Sequence, residues 1–68
     1  MLTQKGNNMR EIEKEIRQQI LEAEELEQYA KKTKNENYMS YQQGRQSGLR
    51  ESLSIIKRKM QNESNNTN

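Results

Sequence analysis

The feature that most constrains this chain is an apolar stripe at helical spacing in its first half. Steps of three and four residues separate its members, which are Met9, Ile12, Ile16, Ile20, Ala23, Leu26 and Ala30. Residues at this spacing share one face of an α-helix. Read as heptads, one seam position holds Met9, Ile16, Ala23 and Ala30, and the other holds Ile12, Gln19 and Leu26. The pattern predicts an amphipathic helix that begins at a capping box of Asn8 and Glu11.

A second stripe at helical spacing follows, made of Tyr38, Tyr41, Gly48, Leu49, Ser52, Leu53, Ile56 and Met60. The run "KKTKNEN" at residues 31–37 separates the two stripes, and candidate caps for the second helix are Thr33 with Glu36 or Ser40 with Gln43. We therefore predict an all-α, antiparallel helical hairpin over residues 9–60 with its turn near 31–37. Residues 1–8 are predicted to be a flexible leader and 61–68 a disordered tail. A single uninterrupted helix is the alternative.

The composition excludes several kinds of site. The chain has 68 residues and contains no cysteine and no histidine. Disulfides, thiolate or imidazole metal sites, cysteine nucleophiles and histidine-based triads are therefore excluded. No apolar run approaches the roughly 20 residues that a membrane span needs. We expect a cytoplasmic, non-enzymatic protein with no catalytic residue, no metal, no cofactor and no membrane association.

Two glycines stand inside the second stripe, although each costs a helix interior about 1 kcal/mol relative to alanine. Gly44, Gly48 and Ser52 recur every four residues, so on a helix they form a strip of small side chains. We predict that this strip packs closely against the first helix, with Gly48 near Ala23. The alternative is that the glycines break the helix.

Charge favours pairing of the two helices. Residues 9–30 carry three basic and seven acidic side chains, a net charge of −4, and residues 37–60 carry five basic and one acidic, a net charge of +4. One hairpin offers only about ten apolar side chains, whose burial barely offsets the ordering of the chain. We therefore expect a homodimer, as a four-helix bundle or coiled coil, or docking onto a larger protein.

The run "YMSYQQGRQSGLRESLSIIKR", residues 38–58, carries a resemblance. An aromatic residue, a Gly-x-x-x-Gly-Leu step and a Leu-x-x-Ile-Ile ending follow an acidic first helix. In this the chain resembles small helical proteins encoded by phages and mobile elements of low-GC bacteria. The resemblance implies binding to a host or competitor protein and its inhibition or redirection. It carries over no functional residue, because these proteins share no binding motif.

The residue patterns predict a protein that binds and modulates a larger partner, and the resemblance implies that it does so by inhibition. Its predicted contact residues are Tyr29, Tyr38 and Tyr41 on either side of the turn, with Leu21 extending the patch. The alternative function is nucleic-acid binding through the basic second helix, which carries Arg45, Arg50, Lys57, Arg58 and Lys59. The acidic first helix and the net charge of only +2 argue against that alternative.

Overall fold

The chain folds into two antiparallel α-helices joined by a tight turn. In the computed structural model, which describes the backbone of residues 5–66, α1 spans Lys5–Lys32 and α2 spans Glu36–Asn66. The helices pack along their length into a rod 52 Å long. The predicted all-α helical hairpin is confirmed, and the single uninterrupted helix is wrong.

The turn occupies residues 33–35, inside the predicted 31–37 range. Lys34 adopts a left-handed backbone conformation, with φ at 58°. The Lys34 N–H donates to the Lys31 carbonyl (3.2 Å) and the Asn35 N–H to the Ala30 carbonyl (2.9 Å). These two bonds are the Schellman motif, which satisfies carbonyls that the last turn of a helix leaves free.

Asn35 then begins the second helix. Its side-chain Oδ1 accepts a hydrogen bond from the Tyr38 N–H (3.1 Å), and its carbonyl accepts the Met39 N–H (3.0 Å). This is N-cap geometry. The N-cap is therefore Asn35, and the proposed caps at Thr33 and Ser40 are wrong. Thr33 instead helps to end α1, because its Oγ1 donates to the Tyr29 and Ala30 carbonyls.

The helix ends also differ from the prediction. α1 starts at Lys5, so Asn8 lies inside the helix and the capping box with Glu11 does not form the start. α2 continues past Met60 to Asn66. Neither extension contains proline, so nothing removes a helix hydrogen bond there. The helical bounds thus take in residues 5–8 of the predicted leader and 61–66 of the predicted tail, whereas residues 1–4 and 67–68 lie outside the described part.

Each helix turns a heptad seam toward the other. Buried or partly buried side chains recur at Met9, Glu13, Ile16, Ile20, Ala23, Glu27 and Ala30 in α1, and at Met39, Gln42, Gln46, Leu49, Leu53, Ile56 and Met60 in α2. Met9, Ile16, Ala23 and Ala30 occupy the seam position predicted for them. The second position belongs to Glu13, Ile20 and Glu27, and not to Ile12, Gln19 and Leu26, which lie one residue to the side.

The glycine strip does not face α1. Gly44, Gly48 and Ser52 are exposed, and a Cβ added to either glycine would meet no atom within 4 Å. Both glycines are helical and have no positive φ, so they do not break α2 either. Ala23 is fully buried, but the side chain over it is that of Gln46. The predicted close packing of the strip within the hairpin is wrong, because α2 is rotated so that the two glutamines and Leu49 face α1.

Candidate functional site: the two flanks of the hairpin

Either side of the seam forms a lateral flank of the hairpin, and the two flanks differ in chemistry. On one side the Arg50 guanidinium pairs with the Glu24 carboxylate, and Gln43 Nε2 donates to Glu27 Oε2 (2.9 Å). Arg17 pairs with Glu13 on the same side (2.7 Å). We call this the charged flank. The polar side chains named here all have partners within the hairpin.

The other side, the apolar flank, carries large apolar side chains from both helices. Arg45 and Glu22 form an ion pair across this side (2.9 Å). Residues three, four or seven positions apart lie close together on one side of a helix, so the neighbours of Arg45 and Glu22 at these spacings define the flank. Its large members are Ile12, Leu26 and Tyr29 from α1 and Tyr38, Tyr41 and Ile55 from α2. Gly48 lies between Tyr41 and Ile55, seven residues from each.

Exposure distinguishes the two flanks. Within residues 8–62, the exposed large apolar side chains are Ile12 (49%), Leu21 (61%), Tyr29 (61%), Tyr41 (64%) and Ile55 (45%). All of these except Leu21 lie on the apolar flank. They form two groups, Tyr29 and Tyr41 at the turn end and Ile12 and Ile55 at the open end, with the Arg45–Glu22 ion pair between them. Exposed apolar groups gathered on one side of a small protein mark an interaction site more often than singly scattered apolar residues do. The apolar flank is therefore the candidate functional site.

Tyrosines concentrate at the turn end of this flank. The rings of Tyr38 and Tyr41 stack, with centroids 6.4 Å apart and planes at 24°. Tyr38 is partly buried, which leaves Tyr41 as the more accessible ring. Tyr29 stands two helical turns beyond Glu22 on the facing helix. The three tyrosines predicted as contact residues thus share one flank, whereas Leu21 lies on the other, beside Arg17 and Arg50.

A polar layer supports the turn end from inside the seam. Gln42 is 1% exposed and its Oε1 accepts a hydrogen bond from Arg45 (3.1 Å). Gln46 is buried, and its Nε2 donates to Glu27 Oε1 (2.8 Å) and to the Ala23 carbonyl (3.3 Å). The hydrogen bonds from Gln43 and then Gln46 to the Glu27 carboxylate lower its pKa below the ordinary value. This layer holds α2 in one register against α1.

The sequence pattern missed part of this site. Ile12 and Leu26 belong to the apolar flank but were assigned to the seam. Ile55 adjoins the seam residue Ile56, and a pair of adjacent isoleucines is itself a signal, since only one of the two can face the core of a helix. Gln42, Gln46 and Glu27 are polar, so a search for apolar periodicity could not find them. Only their spacing from the apolar seam residues could have indicated that they face the other helix.

Nothing in the described part of the chain provides for metal binding or a membrane span. Within it, no group of three or more metal-ligating side chains comes together, and neither helix has a stretch long and apolar enough to cross a bilayer. Comparison of the chain with protein-family models, curated proteins and solved structures finds no match. The geometry of the flanks is therefore the basis for a functional hypothesis.

Proposed function

We propose that this chain is a non-enzymatic interaction protein whose apolar flank is its protein-binding surface. The observation that supports it is the concentration of Ile12, Tyr29, Tyr41 and Ile55, all exposed, on one flank. Tyrosines supply large and rigid contact area with a polar tip, which suits a surface that is wet when free and buried when bound. In this proposal the protein works in the cytoplasm and acts by covering part of a partner.

The predicted larger partner and its inhibition belong to the same proposal. A rod that exposes one apolar flank can dock along a groove or a helix of a larger protein, as amphipathic helices do. The nucleic-acid alternative receives less support, because two of the five basic residues of α2 that it requires are engaged. Arg45 pairs with Glu22 and Arg50 with Glu24.

Capture with matched variants tests the proposal. Wild-type chain, Tyr41→Ser and the control Leu21→Ser are immobilised and exposed to a low-GC bacterial extract with and without nuclease. The control removes an equally exposed apolar side chain from the charged flank. We expect a protein that wild type and Leu21→Ser retain and Tyr41→Ser loses.

Two results would contradict the proposal. A bound protein that is retained equally by Tyr41→Ser and wild type would place the binding surface elsewhere. Loss of all bound protein after nuclease treatment would favour the nucleic-acid alternative. Helicity of each variant is measured by circular dichroism, so that unfolding is not mistaken for loss of the surface.

A further inference from the structure

The two helices bring opposite charges to the apolar flank. α1 contributes Glu15 and Glu22 and α2 contributes Arg45 and Lys59; Glu22 and Arg45 already pair with each other within the hairpin (2.9 Å). A two-fold axis parallel to the helices brings the α1 edge of one hairpin against the α2 edge of another. Both contacts of such a pair then join opposite charges. Isologous interfaces require this kind of self-complementary surface.

From this surface we infer that the apolar flank binds a second copy of the chain, with both turns at the same end and each α1 packed against α2 of the other copy. The inference rests on the proposed function, since it keeps the apolar flank as the binding surface and names a second copy, in place of a larger protein, as its occupant. The resulting assembly is a four-helix bundle whose added core is formed by the two apolar flanks.

In this arrangement, residues of the two copies also match in their position along the long axis of the hairpins. A rotation about an axis parallel to the helices preserves height, so the register within one hairpin carries over between copies. Within the hairpin, Gln46 contacts Ala23 and Gln43 contacts Glu27. Leu26 therefore comes level with Gln43 and Gly44 of the other copy, and Gly48 comes level with Leu21 and Glu22. Gly48 lies on the apolar flank and presents no side chain there, which allows close approach of the two backbones.

The same register pairs the remaining large residues. Tyr29 comes level with Tyr41 of the other copy, and Ile12 comes level with the stretch between Ile55 and Lys59. Aromatic residues thus meet at the turn end and aliphatic residues at the open end. Gly48, which finds no neighbour inside the hairpin, gains one in the dimer.

The opposite arrangement is disfavoured by charge. A two-fold axis perpendicular to the helices sets α1 against α1 and α2 against α2, with the turns at opposite ends. Each contact then joins helices of like net charge, −4 with −4 and +4 with +4 over residues 9–30 and 37–60. Like charges facing each other across an interface oppose association.

Sedimentation equilibrium of the full chain tests the inference. We expect a dimer whose Kd rises at least about tenfold in Ile55→Gln and in Gly48→Leu, since each loses apolar burial or close approach at the interface. The control Leu21→Gln should leave Kd unchanged. Gly48→Leu should keep or increase helicity, because leucine is the better helix former. Tight dimerisation of Gly48→Leu would overturn the inference.

Distance measurement between spin labels tests the orientation. The chain contains no cysteine, so Lys32→Cys provides one labelling site per copy at the turn end. Turns at the same end should give a distance between the labels below about 30 Å, because the two α1 helices lie diagonally across a bundle whose neighbouring axes are about 8–10 Å apart and Lys32 is on their outer faces. Turns at opposite ends would give more than about 30 Å at a rise of 1.5 Å per residue, and would overturn the orientation.

Failure of this inference is distinguishable from failure of the proposed function. A wild-type chain that remains monomeric at about 0.1 mM overturns the second copy as partner. If Tyr41→Ser then still loses a captured protein that Leu21→Ser retains, the flank binds another protein and the proposed function stands.

Discussion

The two halves of the hairpin are held together in different ways. In the open half, α1 residues 9–21 and α2 residues 48–62 meet through aliphatic side chains such as Ile16, Ile20 and Leu53, most of them only partly buried. In the turn half, alanines 23 and 30 face buried Gln42 and Gln46. The open half therefore contributes hydrophobic stabilisation, and the turn half contributes hydrogen bonds of fixed geometry. Polar groups at seam positions are well suited to fixing register, at some cost in stability.

The largest change in the free energy of unfolding is expected from a substitution in the aliphatic core of the open half. Ile20 is the aliphatic seam residue with only 8% of its surface exposed, so Ile20→Ala removes buried methyl and methylene groups and leaves a cavity. We expect a loss of about 2–3 kcal/mol in the free energy of unfolding. Urea unfolding at a fixed chain concentration measures it. Leu21→Ala, at an exposed position on the charged flank, is the control, and an equal loss in both would mean that the seam is misplaced.

Overpacking probes the turn half. Ala23 is fully buried beneath Gln46, so the larger side chain in Ala23→Leu must displace the glutamine from its bonds to Glu27 and the Ala23 carbonyl. We expect a cost of about 1–3 kcal/mol by urea unfolding. Gln28→Leu, at an exposed position on the same helix, should change stability by less than about 0.5 kcal/mol. A stabilised Ala23→Leu variant would show that the turn half has room for an aliphatic core.

These two halves also differ in how far the sequence predicts them. In the open half, apolar residues at steps of three and four identified the facing helices and most of the seam. In the turn half, the seam residues Glu27, Gln42 and Gln46 are polar, so periodicity of apolar residues passed over them. The apolar periodicity assigned the seam position to Leu26 instead, but Leu26 belongs to the apolar flank. The rotation of α2 followed from this layer, and the glycine strip was therefore assigned to the wrong face.

The turn between the two helices contains one residue in a left-handed backbone conformation. Lys34 has a φ of 58°, where a residue with a Cβ is disfavoured and glycine is not. We expect Lys34→Gly to stabilise the hairpin by about 1 kcal/mol. Lys32→Gly, inside the last turn of α1, should destabilise it by about 1 kcal/mol. Thermal or urea unfolding of the pair gives the comparison. Destabilisation by Lys34→Gly would contradict the Schellman turn.

The smallest expected effect is the pH dependence of the polar layer, and its sign follows from Glu27. Hydrogen bonds from Gln43 and Gln46 lower the pKa of Glu27 in the folded state. The stability that Glu27 contributes is therefore present above its unfolded-state pKa and is lost as the pH falls through the lower folded-state value.

Glu27→Gln cannot titrate, so unfolding midpoints of this variant should fall less steeply with acidification than those of wild type. Glu25→Gln makes the same charge change at an exposed position two residues away and should keep the wild-type slope. If instead Glu25→Gln and Glu27→Gln flatten the curve equally, the effect is one of net charge on α1, and the turn half loses its claim to a specific hydrogen-bonded layer.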